Sequence, residues 1–246
     1  MTLDLSGFGL GEMLKCSIGV RKLGGLDTTM ESAARRLSRY FYDGLRSSDG
    51  ERSCALVRIY KVHPFAGLPG DLQRFARRAL KFNGGDQEAT PDMRTLALLA
   101  TTGDDPAWNS RTDSKGHQAI PLPSPHIVQR APMIAQLIRQ FGLDLNDVVS
   151  PAENVVRKMQ GKNYGVFHVE DAAGSPYIPA QAQFVQPFKI RSVLGFGGSV
   201  GASDLFAVIL FSRTHVSPDA ADRFRTIALD VKSVLLPYAS GMIFDG

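Results

Sequence analysis

Two apolar runs, Ser192–Phe196 and Leu205–Phe211, stand on either side of a short loop of Gly, Ser, Ala and Asp. Runs of this length, rich in Val, Ile and Phe and split by turn residues, read as paired antiparallel strands. In the second run Leu205, Ala207, Ile209 and Phe211 form one alternating set, and Phe206, Val208 and Leu210 form the other. Both sets are apolar, so this strand is covered on both faces and lies inside a sheet. Upstream, from Tyr164, runs a connection holding His168, Glu170, Asp171, Ser175, Tyr177 and Gln181. Polar density of this kind beside a buried hairpin points to the wall of a pocket.

The flanking sequence supplies helices and further strands. Leu10, Met13, Leu14 and Ile18 recur at helical spacing before Gly24-Gly25. Thr28 and Glu31 are spaced as a capping box, followed by a 3.6-residue stripe of Met30, Ala33, Ala34, Leu37, Tyr40, Phe41 and Leu45. Cys54–Tyr60 and Thr95–Thr101 read as strands. Between them Pro69–Leu80 reads as a helix whose Arg74, Arg77 and Arg78 form a solvated face. From Gly103 to Pro125 no periodicity is visible, and a long aperiodic segment in a compact domain is a candidate binding loop. A helix is expected from Ala131 to Gly142, and another from a second capping box, Ser150-Pro151-Ala152-Glu153, to Gly161. A short strand at Val166–Val169 and a helix opening at Ser217-Pro218 complete the order. Strands in consecutive pairs predict an α+β fold: an antiparallel sheet of five to six strands with helices packed to one side. Residues 1–25 are expected as an N-terminal helical extension and 26–240 as the domain proper.

Composition narrows the functional classes. Of 246 residues 43% are hydrophobic, ample for a core, and the net charge of +4 is too small to argue for nucleic acid without a recognition motif. No apolar run approaches the roughly 18 residues of a membrane span. The opening residues, with Asp4 and Gly7, lack the pattern of a signal peptide. Cys16 and Cys54 form no CxxC and read as reduced thiols, so a cytoplasmic protein is expected.

Gly197-Gly198-Ser199-Val200-Gly201 matches the nucleophile-elbow pattern, with Asp204 and His215 following in hydrolase order. The elbow needs a strand-to-helix turn, whereas Ser199 lies between two hairpin strands. A serine hydrolase using Ser199 is therefore the alternative reading, not the leading one. His168-Val169-Glu170 lacks the P-C-x-x-C partner of zinc deaminases, and the five histidines show no ligand spacing. A haem needs one axial ligand only, for which His168 is the candidate. No cofactor is assigned.

The segments CALVRIYKVHPF, LALLATTGDDPAWNSR, GHQAIPLPS, FHVEDAAGSPYIPAQ, IRSVLGFGG and FAVILFSR occur in that order over residues 10–239. In them the chain resembles the GAF-like, PAS-related sensory domains found at the N-termini of bacterial histidine kinases and related two-component signalling proteins. The resemblance implies a non-catalytic, small-molecule-binding signal-input domain, paired as a homodimer through terminal helices and coupled to an output kinase or regulator domain in cis or trans. The Asn-Lys…Phe…Asp-Glu pattern of cyclic-nucleotide-binding members is missing, and no Cys is assignable to bilin attachment. The ligand is expected between the strand Arg191–Phe196 and the segments Trp108–His117 and His168–Gln181. Trp108 and Phe196 would form apolar walls, with His168, Tyr177 and Arg191 orienting the ligand and Asn109, Arg111 and His117 also expected among the ligand-binding residues. A ligand-free dimerisation or scaffold module is the other alternative.

Overall fold

The alternating segments pair into one six-stranded antiparallel sheet in the computed structural model, which describes residues 2–82, 88–114, 116–150, 164–201 and 204–245. Its strands are β3 (Cys54–Pro64), β4 (Arg94–Gly103), β5 (Ala119–Leu122), β6 (Gly165–Val169), β7 (Ser192–Val200) and β8 (Asp204–Ser212). They lie in the order β5-β4-β3-β8-β7-β6, and a separate parallel pair joins β1 (Leu3–Asp4) to β2 (Leu45–Arg46). The hairpin forms as its sequence dictates, with Leu194 opposite Leu210 and Phe196 opposite Val208. β8 lies between β7 and β3, which explains why both of its alternating sets are apolar.

Helices cover both faces of the sheet, where the sequence predicted one. On the first, here the helix face, lie α1 (Leu10–Arg21), α2 (Met30–Gly44) and α7 (Pro218–Leu235). Phe196 meets Phe41 edge-on at 5.5 Å and Phe224 at a tilt at 5.1 Å, and Phe224 stacks on Phe8 at 4.5 Å. Burying each such ring contributes about 1.5–3 kcal/mol. At one corner α3 (Gly70–Phe82) sets Leu72, Ala76 and Leu80 among Ala97 and Ala119. The second face, the loop face, is covered by α4 (Pro125–Gln129), α5 (Pro132–Gln140), α6 (Leu145–Val149) and irregular chain. That irregular chain includes one wide turn over Gln181–Val185 closed by bonds such as Val185 N–H to Ala180 C=O at 3.1 Å. Phe141 presses so close to the sheet that a Cβ on Gly165 would stand 2.2 Å from its Cα. Only glycine fits there.

Several local expectations shift. The capping box of α2 uses Thr29 and Ser32, one residue later than predicted: Thr29 Oγ1 accepts from Ser32 N at 3.0 Å, and Ser32 Oγ from Thr29 N at 3.3 Å. Glu31 is thereby released for an ion pair. The segment 103–125 contains β5, an edge strand able to carry Pro121 because its outer side needs no donor. The capping box expected at Ser150–Glu153 and its helix to Gly161 fall outside the described residues. Residues 1–25 share the main core through Leu3, Leu5, Phe8, Cys16 and Val20, all buried. The C-terminal tail joins α2 backbone to backbone, Met30 N to Met242 O at 3.0 Å and Glu31 N to Ile243 O at 2.8 Å.

Candidate functional site

The loop after β4 is shaped by its own short side chains. Asp105 caps a single tight turn over Pro106–Trp108, and Asn109 bridges back to Gly103, accepting from its N–H at 3.2 Å and donating to its C=O at 2.9 Å. Asn109 is thus a structural clasp. The turn drives Trp108 onto the loop face, against Phe188 at 4.5 Å and Phe184 at 5.6 Å, while Phe184 meets Phe211 at 4.9 Å. Further along, Arg111 leaves this face altogether. Its Nε is 3.0 Å from Glu31 Oε1 on α2 and its Nη1 2.7 Å from Asp71 Oδ2 on α3. Despite burial, these two carboxylates hold its pKa above the ordinary arginine value. Arg111 ties three elements together.

The other expected site residues scatter. Phe196 is fully buried on the helix face, opposite Trp108, because it belongs to the alternating set of Leu194 and Val200. His168 is half-buried on that same face at the edge strand β6, its Nε2 2.9 Å from Val216 O. Burial outweighs that hydrogen bond and lowers its pKa. Tyr177 and Arg191 are exposed, and Arg191 contributes only backbone bonds, including its N–H to Ser212 O at 2.7 Å. The expected constellation is therefore not assembled; of its members Trp108 and His117 approach the site described next.

Ser199, Asp204 and His215 are not brought together either. Ser199 is registered at one end of the hairpin, opposite Leu205, whereas His215 follows Ser212 at the other and meets Glu170 at 3.2 Å. Asp204 is engaged by Lys61 and Arg94. Among the described residues no group of three or more His, Cys, Asp and Glu stands together to hold a metal.

What the loop face does assemble is centred on Arg58, in the middle of β3. Leu56, Arg58 and Tyr60 share this face, opposite Phe211, Ile209 and Ala207 of β8, and Thr101 of β4 is the other direct neighbour of Arg58. Arg58 is only 9% exposed. Its Nη1 donates to Tyr60 Oη at 3.3 Å and its Nη2 to Ser114 Oγ at 3.2 Å, both neutral acceptors. Among the described residues Arg36, Arg52 and Arg58 each bury an Nε without a partner. Arg36 and Arg52 each have a carboxylate elsewhere on the guanidinium; among the described residues Arg58 has none. Thr101 Oγ1, beside it, is also buried without a partner. His117 sits on the covering loop at a φ of +61°, a left-handed conformation uncommon outside glycine. Desolvation and the Arg58 charge lower its pKa, so it stays neutral near pH 7.

An arginine is protonated at any ordinary pH, and a buried charge is normally paired. Arg58 thus presents a permanent cation to the more irregularly covered side of the sheet, one row from the aromatic group of Trp108, Phe184 and Phe211. Its residue type was visible in the CALVRIY strand, as a lone charge in the alternating set of Leu56 and Tyr60.

No protein-family model matches the chain, and no curated protein matches it in sequence. Among solved structures, that of CepR2 from Burkholderia cenocepacia, titled an N-acylhomoserine lactone dependent LuxR family transcription factor, aligns over 93% of this chain and 95% of its own. The two share 12% identity with a TM-score of 0.34, a likeness too slight to set fold or function.

Proposed function

We propose that this chain is a non-catalytic signal-input domain of the GAF-like kind, cytoplasmic, which binds a small molecule on the loop face of its sheet. The observation that carries the reading is Arg58: a buried, permanently charged group with no carboxylate partner among the described residues, beneath the loop that carries Ser114 and His117. The antiparallel sheet, with β3 and β8 adjacent at its centre, supports the reading. A small cavity between α5 and the sheet, lined by Leu96, Ile138 and Phe141 among others, measures only about 20 Å³. That is room for about one water, and the larger cleft of about 320 Å³ beside β5 and α4, lined by Ile120, Ile127, Arg130 and Ile134 among others, does not include Arg58, so a ligand reaches Arg58 by moving the covering segments.

The signal passes through a homodimer to an output kinase or regulator domain. Pairing is supported by α1, where Leu10, Leu14 and Ile18 are 64%, 52% and 55% exposed and, at i, i+4 and i+8, form one outward stripe. Leu229 of α7, the helix that packs against α1, and Leu236 just after it are exposed as well. Light scattering should report a dimer that Leu14→Glu converts to monomer with an unchanged melting temperature; a wild-type monomer at tens of micromolar contradicts the pairing. For the sensory role, native mass spectrometry of freshly purified protein should reveal a non-covalent adduct that denaturation releases. A bare polypeptide mass, joined to an absence of any ligand-induced thermal shift, favours a scaffold module instead.

A further inference from the structure

Resting on the small-molecule reading, the geometry points to a specific ligand class: we propose that Arg58 anchors the carboxylate of a small organic acid whose apolar body lies against Trp108, Phe184 and Phe211. A guanidinium offers two edges that fork to a carboxylate with two parallel N–H···O bonds. On the Nε/Nη2 edge the Nε proton is unpartnered, and Nη2 is held only by the Ser114 hydroxyl. Ser114 can give way. It belongs to the covering loop, and its own Oγ–H is satisfied by Gly116 O at 3.1 Å.

Charge selects among anions. Among the described residues Arg58 is the one permanent cation of this cluster, and the surrounding hydroxyls of Tyr60, Thr101 and Ser114 are neutral. One positive charge balances one carboxylate. A phosphate monoester, close to a dianion at neutral pH, would bring a second charge into the same burial. The body of the ligand follows from register: Leu56 and Phe211 are opposite each other two residues along from the Arg58–Ile209 pair, about 7 Å away at the spacing of an antiparallel strand. There Phe211 meets Phe184, and Phe184 meets Trp108. An acid with its carboxylate on Arg58 and an aryl or short alkyl group reaching one row outward spans both.

Trp108 is the single tryptophan of the chain, so its emission reports on the site without labelling. The whole chain is titrated with a series of monocarboxylates, from acetate through octanoate and including benzoate and phenylacetate, alongside the matching amides and phenyl phosphate. Carboxylates with an apolar body should shift Trp108 emission and bind roughly ten- to a hundredfold tighter than their amides, the range of one charge-assisted contact. Arg58→Met should erase that preference. Arg58→Lys, which keeps the charge without the fork, should retain a small part of it, with a cooperative melt in both variants. Amides and acids binding alike in the wild type and in Arg58→Met would overturn the carboxylate assignment while leaving the small-molecule reading in place. Tighter binding of phenyl phosphate than of phenylacetate overturns the monocarboxylate and selects a phosphate ester. Absence of binding by any of these, with no adduct in native mass spectrometry, defeats both.

Discussion

Arg58 and Lys61 lie three residues apart on one strand, leave the sheet on opposite faces, and are treated oppositely. Lys61 is 0% exposed, yet Asp204 reaches it, His63 Nδ1 lies 2.8 Å from its Nζ, and Arg94 shares the same carboxylate at 2.5 Å. Burial raises the pKa of Asp204, but Lys61 and Arg94 more than offset this and hold it below its ordinary value. The group fastens the start of β8 to β3 and β4. Arg58, nearly as buried, receives two hydroxyls and, among the described residues, no carboxylate. A chain that neutralises one buried cation so thoroughly has the means to neutralise the other. The difference separates a charge kept for the fold from a charge kept for something the fold itself does not supply.

The severest way to break this comparison is to ask whether the sheet tolerates unpaired charge in general. Leu210→Asp places one on β8, fully buried among the helix-face side chains. It should cost more than about 4 kcal/mol in chemical denaturation, or prevent folding. A small loss would show that unpaired charge is cheap here and that Arg58 signifies nothing. Next in size, Asp204→Asn strips the shared counter-charge from Lys61 and Arg94 and should cost about 3–5 kcal/mol. A loss under about 1 kcal/mol would mean that Lys61 reaches water.

A smaller effect comes with pH. Burial first, and the neighbouring Lys61 second, push the pKa of His63 from 6.5 down to about 4. The unfolded chain therefore takes up the proton first, and stability falls as pH is lowered from about 6.5 towards 4. His117 and His168, also lowered, act with the same sign. Below this window protonation of Asp204 adds its own loss, because its stabilisation is present only while it is ionised. His63→Gln should make the acid slope shallower. Stability that is flat across the whole window would contradict a buried neutral His63.

Much of the fold was legible because alternation and helical periodicity state directly which elements must be buried. Leu205–Phe211 and Cys54–Tyr60 are examples, and both stand next to each other at the sheet centre. β5 was hidden by Pro121 and by its four-residue length, since an edge strand pairs on one side and needs no apolar run. The site was harder to read. In a strand apolar on both faces, alternation separates two sets of side chains but not which set meets the helices; Phe196 was accordingly placed on the wrong side. His168 and Arg111 look like ligand-binding groups by residue type, yet their partners, Val216, Glu31 and Asp71, lie 40 or more positions away in sequence. Arg58 was readable as a lone charge inside an apolar strand. What no sequence pattern supplies is that its neighbour Lys61 finds a carboxylate while it does not.

The most direct test of this account is the thermal stability of Arg58→Met, measured without added ligand. Replacing an unpaired buried charge with an apolar side chain of similar length removes a desolvation cost. The account predicts a rise of about 2–4 °C, the shift that roughly 1 kcal/mol produces in a chain of this size. A fall of several degrees, of the kind expected for Asp204→Asn, would show that Arg58 is a structural residue like Lys61, and the distinction drawn between the two faces would be lost.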